Sequence, residues 1–211
     1  MAKSVGNKLT PFLKEIIPIL VSLIKDVNQQ QSNDVDNELS EACLTTLQSI
    51  IHKCPAELTN YIKDLFKVAL SLSVYDPNYM YEDADEEMQQ DDDEGGWGSD
   101  FDEDDMQGEQ DDDDTSWKVR RGAYRVLDAI ISTRPDIHTE VIKDHGEKLA
   151  DRFRERIDDV KCDLLDAFKS LVAVDDSSMV DADKRQRIKD ISSTILQKLC
   201  KQSNSKNIKV K

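Results

Sequence analysis

The sequence has few residues of the kinds that sheets and membrane spans require. Only seven of its 211 residues are glycine and five are proline, and no stretch alternates apolar with polar residues. Both facts argue against a sheet, because half-buried strands alternate and hairpin turns need glycine. No apolar run reaches about 18 residues, which excludes a membrane-spanning helix, and the first residues lack the apolar stretch of a secretory signal. The predicted class is all-α.

Residues that carry catalysis or bind metals are also scarce. The histidines at positions 52, 138 and 145 have no cysteine at ligand spacing, and the four cysteines form no C-x-x-C motif. No phosphate-binding glycine loop and no nucleophile elbow occurs. We therefore predict no catalytic residue, cofactor, metal site or small-molecule substrate, and a binding protein rather than an enzyme.

The environment of these side chains can be predicted as well. The two histidines at positions 138 and 145 share a predicted helix face and are expected to be partly exposed. All four cysteines lie on predicted helices and are expected to be buried or partly buried reduced thiols. Reduced thiols fit a protein of the cytoplasm and nucleus better than a secreted one.

Positive charge is absent from one segment. The chain has 28 basic and 44 acidic residues, a net charge of −16, and nineteen of the acidic residues lie between Glu82 and Asp114, where no Lys or Arg occurs. Without this acidic tract the chain would carry a net charge of +3. Self-repulsion within the tract predicts a solvated, disordered segment. Its spacing does not fit a calcium loop, because Asp105 stands where an EF-hand requires glycine.

Helical periodicity, in segments that repeat, dominates the rest of the sequence. Apolar residues recur at helical spacing over residues 11–25, 37–54, 57–72, 117–133, 137–153, 157–174 and 184–201. Alignment of Leu39 with Val119 and Val160 superimposes the apolar positions of three segments. Pro55 and Pro135 then fall at the same offset and are predicted to end their helices. The spacing from Val119 to Val160 and two helices per unit are typical of HEAT solenoids.

The repeat predicts how the chain is organised. We expect HEAT-type helices over residues 1–75, a disordered acidic loop within a repeat over residues 76–115, further HEAT-type helices over residues 116–202, and a basic tail over residues 203–211. This amounts to an α-solenoid of about three helix pairs and a terminal helix. The terminal segment carries an apolar stripe with no partner helix after it. We expect a piece of a longer array, or a truncated product, rather than a frayed helical cap.

An ordered series of motifs resembles a known family. The motifs are YDPNY at residues 75–79, the acidic tract, SWKVRR at 116–121, LDA at 127–129, RFRER at 152–156 and DVK at 159–161. In this order they resemble the cullin-associated, neddylation-dissociated proteins, the exchange factors of cullin–RING ubiquitin ligases. The resemblance extends over essentially the whole chain. One departure is Gly122, where the family usually has alanine, and where glycine lowers helix propensity by up to about 1 kcal/mol.

The resemblance implies a function. It implies a non-enzymatic HEAT-repeat scaffold that binds an unneddylated cullin and its RING subunit and regulates adaptor exchange. Members of the family are several times longer than this chain and grip the cullin with both ends of their superhelix. Because neither terminal region is present, exchange activity is expected to be partial or absent.

Seven residues are candidates for partner contact: Trp97, Phe101, Arg120, Arg121, Arg152, Arg154 and Arg156. The two aromatic residues are four positions apart among acids, a spacing that suits docking as a short helix into a groove. The arginines at 120 and 121 are expected to bond acidic residues and carbonyls of adjacent repeats, or to hold the acidic tract. For the three remaining arginines, ion pairs within and between repeats are the default. A net charge of −16 argues against nucleic acid as the partner.

A second functional class stays open on the sequence. An acidic segment inside a HEAT array also suits a karyopherin-like or histone-escort module that binds basic cargo through the acidic tract. A further interpretation is that the tract is a solvated loop that binds no partner.

Overall fold

A computed structural model describes residues 6–29, 34–75, 115–173 and 181–202. In these ranges the chain forms α-helices and short 3₁₀ segments and no strand, which confirms the all-α prediction for the described residues. The 3₁₀ segments are Gly6–Phe12, Pro135–Ile137 and Arg152–Arg154. The helices are α1 (Leu13–Gln29), α2 (Asp34–Lys53), α3 (Ile62–Leu72), α4 (Ser116–Thr133), α5 (His138–Asp151), α6 (Asp158–Val172) and α7 (Asp181–Gln202).

The two aligned prolines end helices as predicted. Helix α2 ends at Lys53, two residues before Pro55, and α4 ends at Thr133, two residues before Pro135. The backbone N–H of Arg134 still donates to the carbonyls of the last turn of α4. The proline that follows has no N–H, so the helical ladder stops there. The largest difference between a predicted and an observed boundary is at α3, which begins at Ile62 rather than near position 57 because turns occupy the preceding residues.

Three helices pack side by side and form what we call the central row: α2, α4 and α6, with α4 in the middle. The other helices cover this row. Helix α1 packs on α2, α3 packs on α4, α5 contacts α6, and α7 packs on α5. The chain thus runs through the layers in order, and each layer contributes its second helix to the central row.

The core consists of equivalent positions in successive layers. Two of the aligned sets are fully enclosed, namely Cys43 with Ala123 and Leu164, and Leu47 with Leu127 and Phe168. Each large apolar side chain removed from water in this way contributes about 1.5–3 kcal/mol. Leu39 departs from the pattern, since it is 41% exposed where the aligned valines are buried.

Gly122 lies at the closest approach of two central-row helices. A Cβ atom built on Gly122 would lie 3.0 Å from Leu44 Cδ1 and 3.1 Å from Leu44 Cβ. The Cβ of Leu44 cannot move without its backbone, so a side chain at position 122 would push α2 and α4 apart. Glycine therefore stands in this helix because of the close contact between α2 and α4, despite its low helix propensity.

The four thiols differ in burial. Cys43 and Cys54 are buried and Cys162 is half-buried, in agreement with the prediction, and burial raises the pKa of the Cys43 thiol above its usual value. For Cys200 the prediction was wrong, because this residue is exposed near the end of α7. Helix α7 packs mainly against α5 and so leaves part of its surface to solvent. None of the helices in the described ranges is both long and apolar enough to cross a membrane.

We predict that Gly122→Ala lowers the free energy of unfolding. The substitution gains up to about 1 kcal/mol of helix propensity, whereas overpacking against Leu44 costs typically about 1–3 kcal/mol. The steric cost is therefore expected to exceed the gain. Urea unfolding of the variant measures the difference.

The double variant Leu44→Ala/Gly122→Ala separates the two contributions. Leu44→Ala alone removes a core side chain and costs about 2–5 kcal/mol. In that background the contact with Cδ1 is gone but the contact with Cβ remains, so Gly122→Ala is expected to cost less than it does in the parent chain. Equal effects of Gly122→Ala in both backgrounds would contradict a close-packing role for Gly122.

Candidate functional site in the central row

Arg120 lies inside the molecule at the first turn of α4. It is 8% exposed. Its Nε donates to Glu155 Oε2 at 3.1 Å and its Nη2 to Glu155 Oε1 at 3.3 Å, so the pair is bidentate. Its Nη1 donates to the Tyr75 carbonyl at 3.1 Å and to Ser116 Oγ at 3.0 Å. A planar guanidinium with five N–H groups is suited to serve these acceptors at once.

Glu155 joins Arg120 to the start of α6. Its Oε1 also accepts the backbone N–H groups of Arg156, at 3.0 Å, and Ile157, at 3.1 Å. These amides immediately precede α6. The carboxylates of Asp158 and Asp159 in the first turn of α6 interact favourably with the positive end of its helix dipole. One ion pair therefore fixes α4 relative to the turn that starts the next central-row helix.

The described residues that flank the acidic tract meet at the same guanidinium. Tyr75 is the last described residue before the tract, and Ser116 follows its end; both accept hydrogen bonds from Arg120 Nη1. Thr115 Oγ1 also accepts a hydrogen bond from Asn37 Nδ2 at 2.9 Å, which ties this point to α2. The two described residues that flank the tract, Tyr75 and Ser116, are thus brought together at Arg120.

A ladder of ion pairs lies along the junction of α4 and α6. Arg121 Nε and Arg125 Nε each lie 2.9 Å from Asp163 Oδ2, and Arg121 Nη1 lies 3.3 Å from Asp159 Oδ2. The two arginine side chains are 29% and 41% exposed, so both pairs are partly reached by water. We call Arg121, Arg125, Asp159 and Asp163 the charge ladder.

A shallow groove lies between α3 and α5. It has a volume of about 140 Å³, with Ile62, Phe66 and Val141 in its floor. The ring centroids of Phe66 and His145 are 5.4 Å apart. The two charged side chains of an ion pair between Lys63 and Glu140, at 2.9 Å, stand at its edge with 70% and 54% exposure. A pair so exposed contributes at most about 1 kcal/mol.

The structure favours a structural use of Arg120 over partner contact. The expectation that Arg120 and Arg121 bond acidic residues and carbonyls of neighbouring layers describes the observed geometry of both. Arg121 keeps part of its surface and remains a candidate for partner contact. Arg125 was not singled out from the sequence. Its position one turn after Arg121 places it on the same helix face, and this spacing could have identified it.

The remaining candidates stay predictions. Arg152 and Arg156 are exposed in the turn between α5 and α6. Trp97 and Phe101, with the acidic tract, and the side chain of Arg154 lie outside what the structure describes.

The two histidines of α5 differ from each other. His145 is half-buried, as predicted, but His138 is only 8% exposed, and for this residue the prediction was wrong. The sequence reasoning missed that Lys184 of α7 lies against the ring, with Nζ 2.8 Å from Nδ1. No group of three or more possible metal ligands occurs among the described residues.

The described residues therefore define a layered, all-helical protein that holds charged side chains of successive layers in register.

No protein-family model matches the chain. It is 33% identical over 172 residues to cullin-associated NEDD8-dissociated protein 1 of Arabidopsis thaliana. The aligned region covers 82% of this chain and 13% of the relative. The Drosophila melanogaster protein of that name is 32% identical over 147 residues. This match covers 68% of this chain and 11% of the relative.

The Dictyostelium discoideum protein of the same name matches all of this chain at 30% identity, again over a small part of its own length, 17%. The chain is homologous to a short segment of the cullin-associated NEDD8-dissociated proteins. This homology agrees with the prediction of a binding protein rather than an enzyme, because these relatives are non-enzymatic. The chain spans less than a fifth of the length of these relatives.

Removal of the buried arginine tests its structural role. We predict that Arg120→Met lowers the free energy of unfolding by about 2–4 kcal/mol, because it leaves the Glu155 carboxylate without its bidentate partner in a mostly dry position. Arg120→Lys retains the positive charge but not the planar guanidinium that bonds Glu155 through two N–H groups. It is therefore expected to recover only part of the lost free energy of unfolding. Both are measured by urea unfolding.

Arg152→Met is the matched control, since Arg152 is an exposed arginine only three residues from Glu155. A surface substitution of this kind is expected to change stability by no more than about 0.5 kcal/mol. Equal losses for the variants at positions 120 and 152 would show that Arg120 does not hold the layers together.

Proposed function

We propose that this chain is a HEAT-repeat segment of a cullin-binding scaffold, which binds an unneddylated cullin with its RING subunit and regulates adaptor exchange. The observation that carries the proposal is the homology to relatives named for cullin association, which extends over 68% to 100% of this chain. The proposal includes a location in the cytoplasm and nucleus, where such ligases act. It involves no nucleic acid, membrane or small-molecule substrate.

The arrangement of helices supports the HEAT part of this proposal. Three helices spaced at repeat intervals in the sequence lie side by side, and their aligned apolar positions are buried, with the exception of Leu39. In a solenoid each layer contacts only its neighbours, which is how α2, α4 and α6 contact one another. Such a stack has an extended face, on which residues from several layers meet a large partner.

The charge ladder is the part of this face that we assign to partner contact. Arg121 and Arg125 are held by Asp163 in fixed positions but keep 29% and 41% of their side-chain surface. An arginine that is already oriented loses less conformational entropy when a partner carboxylate binds it. Arg120, one residue away, supports the ladder from inside by fixing α4 relative to the start of α6.

We predict that Arg121→Glu/Arg125→Glu weakens binding to an unmodified cullin carboxy-terminal half with its RING subunit by about tenfold or more, since arginines are frequent hot spots. Isothermal titration measures the affinity, and circular dichroism checks that the variant is folded. Lys63→Glu is the matched control, because Lys63 is also an ion-paired cation but lies between α3 and α5. It is expected to leave the affinity within about twofold.

The chain as a whole can fail this test. If it ignores the cullin half while a longer homologous array binds it, the proposal is reduced to the HEAT architecture. If both double and control variants bind like the parent chain, the proposal of cullin binding stands but the charge ladder is the wrong surface.

The second candidate is a karyopherin-like or histone-escort module. It is favoured by one observation, the nineteen acidic residues between Glu82 and Asp114. A basic partner held by this tract would bind in a salt-dependent way, because charges in water are screened over about 8 Å at physiological ionic strength.

Deletion of residues 82–114 separates the two candidates. Residues 76–81 remain to close the gap, which is short because the flanking residues share hydrogen bonds to Arg120. For a cullin scaffold we predict that the deletion leaves cullin affinity within about threefold, less than the tenfold that corresponds to 1.4 kcal/mol. Loss of histone binding on deletion, in a chain that binds no cullin, would favour the escort module instead.

A further inference from the structure

His138 has hydrogen-bond partners on both ring nitrogens. Its Nε2 lies 2.7 Å from the Ile131 carbonyl, at the end of α4, and its Nδ1 lies 2.8 Å from Lys184 Nζ, in the first turn of α7. A carbonyl only accepts, so Nε2 must carry the proton and donate. An ammonium only donates, so Nδ1 must be the acceptor. The ring in this geometry is therefore neutral, with its proton on Nε2.

Lys184 connects three elements through this contact. It is 4% exposed, and besides the imidazole its Nζ donates to the Ala173 carbonyl, which follows the last residue of α6. The lysine thus ties α7 both to the first residue of α5 and to the end of α6. Helix α7 otherwise rests on α5 through few buried apolar residues among those described, such as Ile195 and the half-buried Ile188. The polar contact is one part of the attachment of α7.

The charges around the ring oppose its protonation. Lys184 presents an ammonium at 2.8 Å, and the amino-terminal end of α5, where His138 is the first residue, is the positive end of a helix dipole. On the other side Asp136 favours a charged ring, but its carboxylate is 57% exposed and already bonded twice by Arg134, at 2.8 Å each. Arg152, in the short helix after α5, is exposed. Of these charges, the ammonium of Lys184 is the nearest to the ring and the most buried.

We propose that His138 and Lys184 form a proton-sensitive latch: protonation of the imidazole at mildly acidic pH breaks the Nδ1 contact and releases α7 from α5. A protonated ring carries N–H groups on both nitrogens. The Nδ1–H group of the ring and the ammonium of Lys184 are then both donors, so the hydrogen bond between them is lost. The proposal does not depend on which partner the chain binds, because it rests only on contacts that His138 and Lys184 make within this chain.

The direction of the pH dependence follows from proton linkage. A histidine in water has a pKa of about 6.5, and the latched form excludes the proton, so acid favours the released form. The latch contributes fully above about pH 6.5 and is lost as the pH falls below it. Between about pH 7.5 and pH 5.5, the equilibrium constant for release is expected to rise about tenfold, as the released ring fills with protons.

Amide hydrogen exchange of α7 in the full chain measures this release. After correction for the intrinsic pH dependence of exchange, protection of the amides of α7 is expected to fall about tenfold between these two pH values. In His138→Gln, whose amide offers one donor and one acceptor but does not titrate, the protection is expected to be the same at both. His145→Gln, seven residues along the same helix, is the control and is expected to keep the parent's tenfold change.

Two further measurements keep the proposal testable if His138→Gln does not fold. Ring nitrogen chemical shifts of the parent chain at about pH 7.5 are expected to show the neutral Nε2–H form, and a protonated ring or an Nδ1–H form would overturn the proposal. Lys184→Met removes the repelling ammonium, so the pH dependence of α7 is expected to shrink below about threefold. Protection that does not change with pH in the parent chain, or that changes equally in His138→Gln, would overturn it as well.

Discussion

Helix α4 is enclosed by α2, α3 and α6, and the rest of the packing depends on this enclosure. Val119, Ala123, Leu127 and Ile130 are fully buried along one face of the helix, and other faces are buried as well, at Tyr124, Val126 and Ala129. With about 1.5–3 kcal/mol for each large apolar side chain, this helix holds the largest share of the stabilisation among those described. An enclosed helix has a second consequence. Any polar group on its buried faces must find its partners within the protein, because water cannot reach it there.

Two polar side chains of α4 satisfy this requirement at the flank of the acidic tract. Arg120 donates to the Tyr75 carbonyl, and the Tyr124 hydroxyl donates to the Ser73 carbonyl at 3.3 Å; burial raises the pKa of Tyr124 to about 12. Both carbonyls belong to the end of α3 and the residues after it. The polar groups of α4 thus fix the point where the chain leaves the layers. Since loop-closure entropy grows only with the logarithm of length, a long segment inserted there disturbs the helices little.

The sequence predicted the features that repeat and missed those that do not. Helix class, the endings before Pro55 and Pro135 and the enclosed positions follow from periodicity, which reports burial directly. The partner of Arg120 does not repeat, because Glu155 lies in a turn whose direction is set by tertiary packing. Burial of His138 was missed for a related reason: Lys184 reaches it from a helix 46 positions away in the chain. Gly122 was read as a weakness of its helix because propensity describes a helix alone, without the side chain of its neighbour.

The layered arrangement also limits what a segment of this length does by itself. In a solenoid each layer adds its own contacts to a partner, so the binding free energy grows with the number of layers engaged. Affinity depends exponentially on that sum, and each 1.4 kcal/mol lost with a missing layer lowers it tenfold. An affinity that is distributed along such an array therefore falls more steeply than in proportion to the number of layers removed. Measurable binding by this segment would mean that contacts are concentrated in its layers, and the partly exposed arginines held at the α4–α6 junction are where such concentration has a structural basis.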